Sequence, residues 1–231
     1  MFCEPSSSAI NMAKDEQLLS DIAHADHCLL HFHTWEKKSA TFGYFIDPNL
    51  YLRGITLDLA RRPTGGGILF HTCDLSFALL VPASHKLFSI NTLENYATVN
   101  SIVSEAIKSF MGNSIPLSLL PSEPEAADKA SAHFCFAKPT KYDVMLEGRK
   151  VGGGAQRRTK HGFLHQGSIS LGLPSQEFLD GVLLPGTCVA KAMEQNSYAL
   201  LPPGYTEREF NEAKKSLQDA LISSAQNQFF S

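Results

Sequence analysis

The chain has 231 residues and 43% hydrophobic content, enough for one substantial core. Its formal net charge of −3 excludes the basic footprint of a nucleic-acid-binding protein, and no apolar run approaches the ~20 residues of a membrane span. Five scattered cysteines (Cys3, Cys28, Cys73, Cys135, Cys188), odd in number and without CxxC spacing, point to free thiols in a reducing, cytoplasmic compartment, and no signal-peptide pattern is present.

Residues 1–10 are expected to form a flexible tail, and 11–231 one domain. "NMAKDEQLLSDIA" places Met12, Leu18, Leu19 and Ile22 at helical spacing. "HCLLHFHTWE" and "SATFGYFID" follow as aromatic-rich strands, and "ITLDLARR" as a third, with Ile55, Leu57 and Leu59 alternating. "GILFHTCDLSFALLVP" holds one or two strands ended by Pro82. "NTLENYATVNSIVSEAIKSFMG" is a helix that Asn91 caps, with Glu94 three positions on and Gly112 as its stop. The proline-bearing "LLPSEPEAADKASAH" is a surface loop. A strand, an "EG" turn and a second strand make up "YDVMLEGRKVGGGAQRR", and "GFLHQGSISLGL" is a further strand. A last helix starts at Thr206 and aligns Phe210, Ala213, Leu217 and Leu221. The order predicts an α+β domain: a mixed, largely antiparallel β-sheet with packed helices.

Two glycine triplets stand out, Gly65-Gly66-Gly67 after Arg61 and Arg62, and Gly152-Gly153-Gly154 before Arg157 and Arg158. Glycine admits φ > 0 and close backbone approach, and free N–H groups beside guanidiniums suit a carboxylate or phosphate. The alternative is a turn or β-bulge. Neither triplet has P-loop or GxGxxG spacing.

In order and spacing these segments resemble the lipoate–protein ligase and octanoyltransferase superfamily, whose catalytic-domain fold is shared with biotin–protein ligase. "NMAKDEQLL", with Asp15 and Glu16, is similar to the family's opening helix. "TWEKKSATFGYF" resembles its W-x-x-x-x-x-S/T-x-G segment, with Ile46 where a glutamine is common. "RRPTGGGILFH" resembles R-R-x-[ST]-G-G-G-x-x-x-H, and "YDVMLEGRKVGGGAQRRTKHGFLHQG" the D-[IVL]-x-x-x-G-x-K-[IV]-x-G-x-A-x-x-R segment with its later H-x-G. The match runs from Asn11 to Leu171.

The resemblance implies transfer of a lipoyl or octanoyl group to a lysine of an apo lipoyl domain, in a 2-oxoacid dehydrogenase complex or the glycine cleavage H protein. It places Lys150 at the acyl carbonyl, where an ammonium stabilises developing charge. Arg61, Arg62, Thr64, Gly65, Gly66, Gly67 and His71 from the first segment are implied to bind substrate or cofactor. So are Asp143, Gly152, Gly153, Gly154, Ala155, Gln156, His165 and Gly167 from the second. His71 is expected to pack under the glycine loop and His165 to line the pocket. The acyl chain is expected beside Leu69 and the Trp35 to Tyr44 segment, and Asp74 in a turn.

Two chemistries fit this family. An ATP-dependent ligase, using Mg²⁺, makes a lipoyl or octanoyl adenylate. The intact Gly67 favours it, and so do Arg61, Arg62 and Lys150 as phosphate partners. The ligase is the main expectation, with a separate accessory chain a candidate partner because no large C-terminal accessory domain is expected. The alternative is a cofactor-free octanoyltransferase fed by acyl carrier protein. "CFAKPTKYDV" favours it, because Cys135 stands shortly before the Pro-[ST]-x-Tyr-[Asp/Glu] element, and Tyr142 replaces an asparagine common in ligases. A neighbouring cation favours the reactive thiolate, although a free cysteine is also at home as a small buried apolar residue. A non-catalytic paralogue that binds acylated carriers is the third reading. Biotin ligase is disfavoured because G-R-G-R is absent. His24, His27, His31 and His33 cluster without a cysteine or carboxylate to complete a metal set, so no protein-held metal is expected.

Overall fold

The structure, a computed structural model, describes residues 4–53, 57–112 and 114–230. Cys3 and Ile55 lie outside the described residues. Helix α1 (Ser8–Asp21) begins three residues before the expected start at Asn11. Ser7 is the reason: its side chain accepts from the N–H of Ile10, a helix N-cap. Ser6 pairs with Trp35 as an isolated bridge, so the expected flexible tail is ordered over its described part.

Among the described residues, nine strands build two sheets. The larger has the order β1 (Leu29–Phe32), β5 (Asp74–Pro82), β9 (Gly162–Ser170), β8 (Arg149–Arg158), β7 (Val144–Leu146), β6 (Leu117–Leu119), and all its pairs are antiparallel. The smaller has β2 (Ser39–Phe42) between β3 (Asp58–Arg61), parallel to it, and β4 (Leu69–His71), antiparallel. The expected mixed, largely antiparallel α+β architecture is therefore observed.

Alternation along β5 and β9 sends side chains to two faces. One face carries Leu75, Phe77, Leu79, Val81, Phe163 and Ile169, which pack against helix α2 (Thr92–Met111) and the last helix (Glu207–Phe230). The last helix contributes Leu217 and Leu221, as its periodicity predicts. On the opposite face Ala78, Leu80 and Leu164 meet Leu19 and Ile22 at the α1 end. The capping of α2 is as read from the sequence: Asn91 accepts from Leu93 N–H, and Glu94 accepts from Asn91 Nδ2 and Ser89 Oγ.

Two short helices, α3 (Gln176–Val182) and α4 (Val189–Asn196), escaped the sequence reading, as did β6. Two turns of chain show too few repeats of a 3.6-residue pattern to register. They supply Leu179, Val182, Val189 and Met193 to a second core with Ala40, Ile68, Phe70 and Phe134, which backs the small sheet. The last helix is α5 (Glu207–Phe230), and Thr206 caps it by exchanging hydrogen bonds with Glu209.

Candidate active site

A cavity lies between the two sheets. Arg62, Leu69, His71, Cys135, Phe136, Lys150, Gly153, Gly154, Ala155 and Gly167 line it, with Met12, His33, Thr41, Ser76, Gln166 and Ser168.

Thr64 and the first glycine triplet lie outside the cavity lining and bear on it through their neighbours, each glycine differently. Gly66 has φ 85°, which a side chain disfavours, and Gly65 faces open space. Gly67 is needed for contact. A Cβ there would stand 2.4 Å from the carbonyl oxygen of His133. That closeness lets Ile68 donate to His133 O (2.6 Å) and Cys135 donate to Ile68 O (2.9 Å). The cysteine segment is thus laced to the glycine loop.

Arg62 is the loop's internal strut. Nη1 donates to Thr41 Oγ1 (2.8 Å), while Nη2 donates to the carbonyls of Gly65 (3.1 Å) and Gly67 (2.6 Å) and lies 4.0 Å from Cys135 Sγ. Burial pulls the guanidinium pKa down, opposed by the adjacent Cys135. His71 supports the strut from below. Its Nε2 is 2.8 Å from Thr41 Oγ1, its Nδ1 is 3.0 Å from Asp74 Oδ2, and its ring stacks on Trp35 with centroids 4.1 Å apart. Burial pulls the His71 pKa down, against the pull of Asp74. Asp74 is therefore a buried partner and not a turn residue. It also accepts from Ser168 (2.7 Å), and its pKa is lowered although burial, the largest influence, raises it.

Lys150 owes its direction to a β-bulge. The ladder of β7 and β8 pairs Val144 with Gly152 but Met145 with Lys150, leaving Val151 extra. Val151 and Gly152 both face Val103 or its core, and Lys150 turns to the cavity side with Gly153. Only 4% exposed, its ammonium donates to Cys135 O (2.9 Å) and lies 2.8 Å from Asp143 Oδ2. Thr140 donates to the same carboxylate through N–H (2.6 Å) and Oγ1 (3.1 Å). Burial pushes the Asp143 pKa up, and Lys150 opposes it.

The second triplet is not the anion-binding loop expected from the sequence. It lies inside β8, paired to β9 along its length, and the Gly154 N–H donates to Tyr96 Oη (3.1 Å). Its glycines make room for neighbours. A Cβ on Gly153 would meet Asp143 Oδ1 at 2.0 Å, and one on Gly154 would meet His165 Nε2 at 2.4 Å. Gly167 clears space for the Phe77 ring in the same way.

Several predicted site residues fall elsewhere. His165 points to the α2 face, not into the cavity, because it alternates with the cavity residues Gln166 and Ser168. There it is fully buried beside Phe77 and Tyr96, with Nδ1 2.9 Å from the Gln156 amide, and burial pulls its pKa down to about 3. Gln156 and Gly152 share that face. Arg61 is exposed, its guanidinium over the rings of Phe42 and Tyr44, and Arg157 pairs with Glu16 on the surface. Tyr44 is 54% exposed, outside the cavity lining.

The sequence reading missed Asp15 and Gln166. Asp15 is buried beneath the cavity. His31 Nδ1 (2.8 Å), His33 Nε2 (2.8 Å) and Gln166 Nε2 (2.6 Å) all meet its carboxylate. Thus a carboxylate does join His31 and His33, with donor atoms within 4.8 Å of one another, although hydrogen bonds already link them. His24 and His27 stay apart on the exposed surface. The signal was faint: Asp15 lies 16 residues upstream of His31, on a helix face that the apolar pattern marks as buried.

The chain belongs to the biotin/lipoate A/B protein ligase family, whose family model matches residues 50–173. It is similar to octanoyltransferase LipM of Anoxybacillus flavithermus, 30% identical over 91% of this chain and 80% of the relative. It is also similar to octanoyltransferase LipM of Bacillus subtilis, 29% identical over 82% of this chain and 71% of the relative. A crystal structure of lipoate-protein ligase A bound with ATP shares the fold, with a TM-score of 0.66 and 18% identity, covering 98% of this chain and 91% of that one. Among the described residues no helix is long and apolar enough to cross a membrane.

Proposed function

We propose that the protein is an octanoyltransferase that carries the acyl group on Cys135. The observation that carries this reading is a half-buried cysteine in the cavity wall, its sulfur 4.0 Å from Arg62 and its carbonyl accepting from the Lys150 ammonium. The names of its relatives support it too.

In the first half-reaction the Cys135 sulfur, as thiolate, attacks the thioester carbonyl of an octanoyl carrier protein. The carbon–sulfur bond to the carrier breaks, and the carrier sulfur leaves as thiolate and takes up the proton that Cys135 gave up. In the second half-reaction a lipoyl-domain lysine attacks the acyl-cysteine, an amide forms, and Cys135 leaves. The amine's proton goes to the departing sulfur or to solvent. In this reading Lys150 stabilises the carbonyl oxygen as it gains charge, with the N–H that Cys135 O and Asp143 leave free. Leu69, Phe136 and Met12 offer the ligand apolar surface.

A second reading, the ATP-dependent ligase, is favoured by the intact Gly67 and by the fold shared with an ATP-bound ligase. The residues present fit a triphosphate poorly. The cavity's cations, Arg62 and Lys150, are engaged by protein acceptors, and the second triplet lies within the sheet.

Intact mass of an apo lipoyl domain separates the two. One reaction holds octanoyl acyl carrier protein without ATP, the other octanoate with Mg·ATP. Octanoylation in the first alone is the expected result. Octanoylation in the second alone overturns the transferase in favour of the ligase.

A further inference from the structure

We propose that Asp15 is a positioning residue for this cavity: acting through Gln166, it fixes the hydrogen-bond polarity that holds Thr64 and the glycine loop. The inference rests on the cavity being the acyl site.

The argument begins with an amide that has two unlike ends. A glutamine can present either its oxygen or its NH₂ to a neighbour, and only its partners decide which. Gln166 has three buried partners; besides the two below, its Nε2 contacts Met12 Sδ (3.2 Å), which only accepts. Its Nε2 donates to Asp15 Oδ2 (2.6 Å), and its Oε1 accepts from Thr64 Oγ1 (2.6 Å). A threonine hydroxyl both donates and accepts, so Thr64 cannot set the direction. An ionised carboxylate only accepts, so Asp15 can.

Asp15 is built to remain ionised. Burial by itself raises its pKa, but the charge of His33 and the hydrogen bonds of His31 and His33 outweigh this, and the pKa lies well below the ordinary carboxylate value. With Asp15 as pure acceptor, Gln166 must aim its NH₂ at the helix and its oxygen at the loop. Thr64 must then donate its hydroxyl proton.

Thr64 is the loop's anchor on this side. It is 1% exposed, its carbonyl accepts from Tyr44 N–H (3.0 Å), and the triplet follows at once. Arg62 holds the opposite side through the carbonyls of Gly65 and Gly67. The loop is therefore clamped between two buried carboxylates, Asp74 through His71, Thr41 and Arg62, and Asp15 through Gln166. Asp15 also holds the His33 ring in the cavity wall.

The test moves the carboxylate by one link. In Asp15→Asn the amide can turn either end to Gln166, so the polarity is no longer fixed and Gln166 is free to turn over. In the double variant Asp15→Asn with Gln166→Glu, the introduced amide donates to the introduced carboxylate, whose other oxygen accepts from Thr64 again. Hydrogen–deuterium exchange of the peptide spanning 61–68 reads the loop without requiring activity. The expected result is exchange about tenfold faster there in Asp15→Asn, with most of the change reversed in the double variant. Steady-state transfer from octanoyl acyl carrier protein should follow, with KM rising more than kcat falls. Thr64→Val breaks the last link without touching Asp15, so it keeps the test decisive should Asp15→Asn not fold. It must reproduce the faster exchange. An unchanged loop in Thr64→Val, or no rescue in the double variant, overturns the inference. Failure of the wild-type protein to transfer octanoyl groups overturns the acyl-site reading instead, and the exchange result tells the two apart.

Discussion

Cys135 sits where three backbone and side-chain constraints meet: the lace to Ile68, the strut of Arg62 and the ammonium of Lys150. On the transferase reading, Cys135→Ser should lower octanoyl transfer roughly 10³-fold or more while the thermal midpoint hardly moves, since a nucleophile is lost and no cavity opens. A ligase would keep most of its activity in the same variant, so the mass-gain assay on Cys135→Ser decides directly. Gly67→Ala tests the lace. A methyl 2.4 Å from His133 O must push the His133 to Cys135 segment away. Misplacement of this kind costs about 10²-fold in turnover. Initial rates alongside circular dichroism will show whether activity falls while the fold remains.

Tyr142 offers a further residue-scale prediction. Its φ of 68° lies in the left-handed region, unfavourable for a side chain of this size. Asn100 Nδ2 bonds its carbonyl (2.8 Å) and its N–H donates to Leu120 O (2.8 Å), so the turn imposes the conformation. Asparagine or glycine accepts that region more readily. Tyr142→Gly should therefore raise unfolding free energy by about 1 kcal/mol in a denaturant titration.

At the scale of elements, β8 is the instructive case. In the sequence a strand runs into its glycines, which suit an anion site or a turn because glycine triplets usually mark turns. In the structure they belong to a strand whose two faces are both crowded, by His165 on one side and by Asp143 with Lys150 on the other. The same strand carries the bulge that turns Lys150 toward the cavity. A period-2 reading puts Lys150 and Gly152 on one face and cannot detect one extra residue. Helix α2 was legible in full because twenty residues repeat its pattern and Asn91 and Gly112 mark its ends. Asn91→Ala removes the side-chain acceptor for Leu93 N–H and should destabilise the protein by about 1 kcal/mol, read from the urea midpoint.

Across the whole molecule, buried ionisable groups tie stability to pH. His165 is neutral in the folded protein, with its pKa pulled from 6.5 to about 3 by burial. The unfolded chain takes up that proton as pH falls through 6.5, and the folded protein does not until about 3. The unfolded state binds more protons in this window, so stability is full above 6.5 and is lost progressively as pH falls toward 3. At pH 5 the loss from this one residue is about 2 kcal/mol. His165→Leu removes it. Between pH 7.5 and 5 the thermal midpoint of the native protein should therefore drop by roughly 4–8 °C more than that of the variant. Equal drops would mean that the imidazole is hydrated or already charged in the fold.

The sequence by itself determined the family-bearing segments, the α+β class, the long helices with their caps, and the membership of Arg62, Cys135 and Lys150 in one candidate site. These depend on local spacing and on motif order, which a chain carries before it folds. Only the tertiary structure decided which side of a strand each motif residue faces. One register shift or one bulge exchanges the faces, so His165 and Gln156 went to the core side and Lys150 to the cavity. It also decided the partners of buried charge. Asp15 meets His31, His33 and Gln166, and Asp74 meets His71, because burial demands a hydrogen bond for every charge and only the packed chain brings residues so distant in sequence within reach.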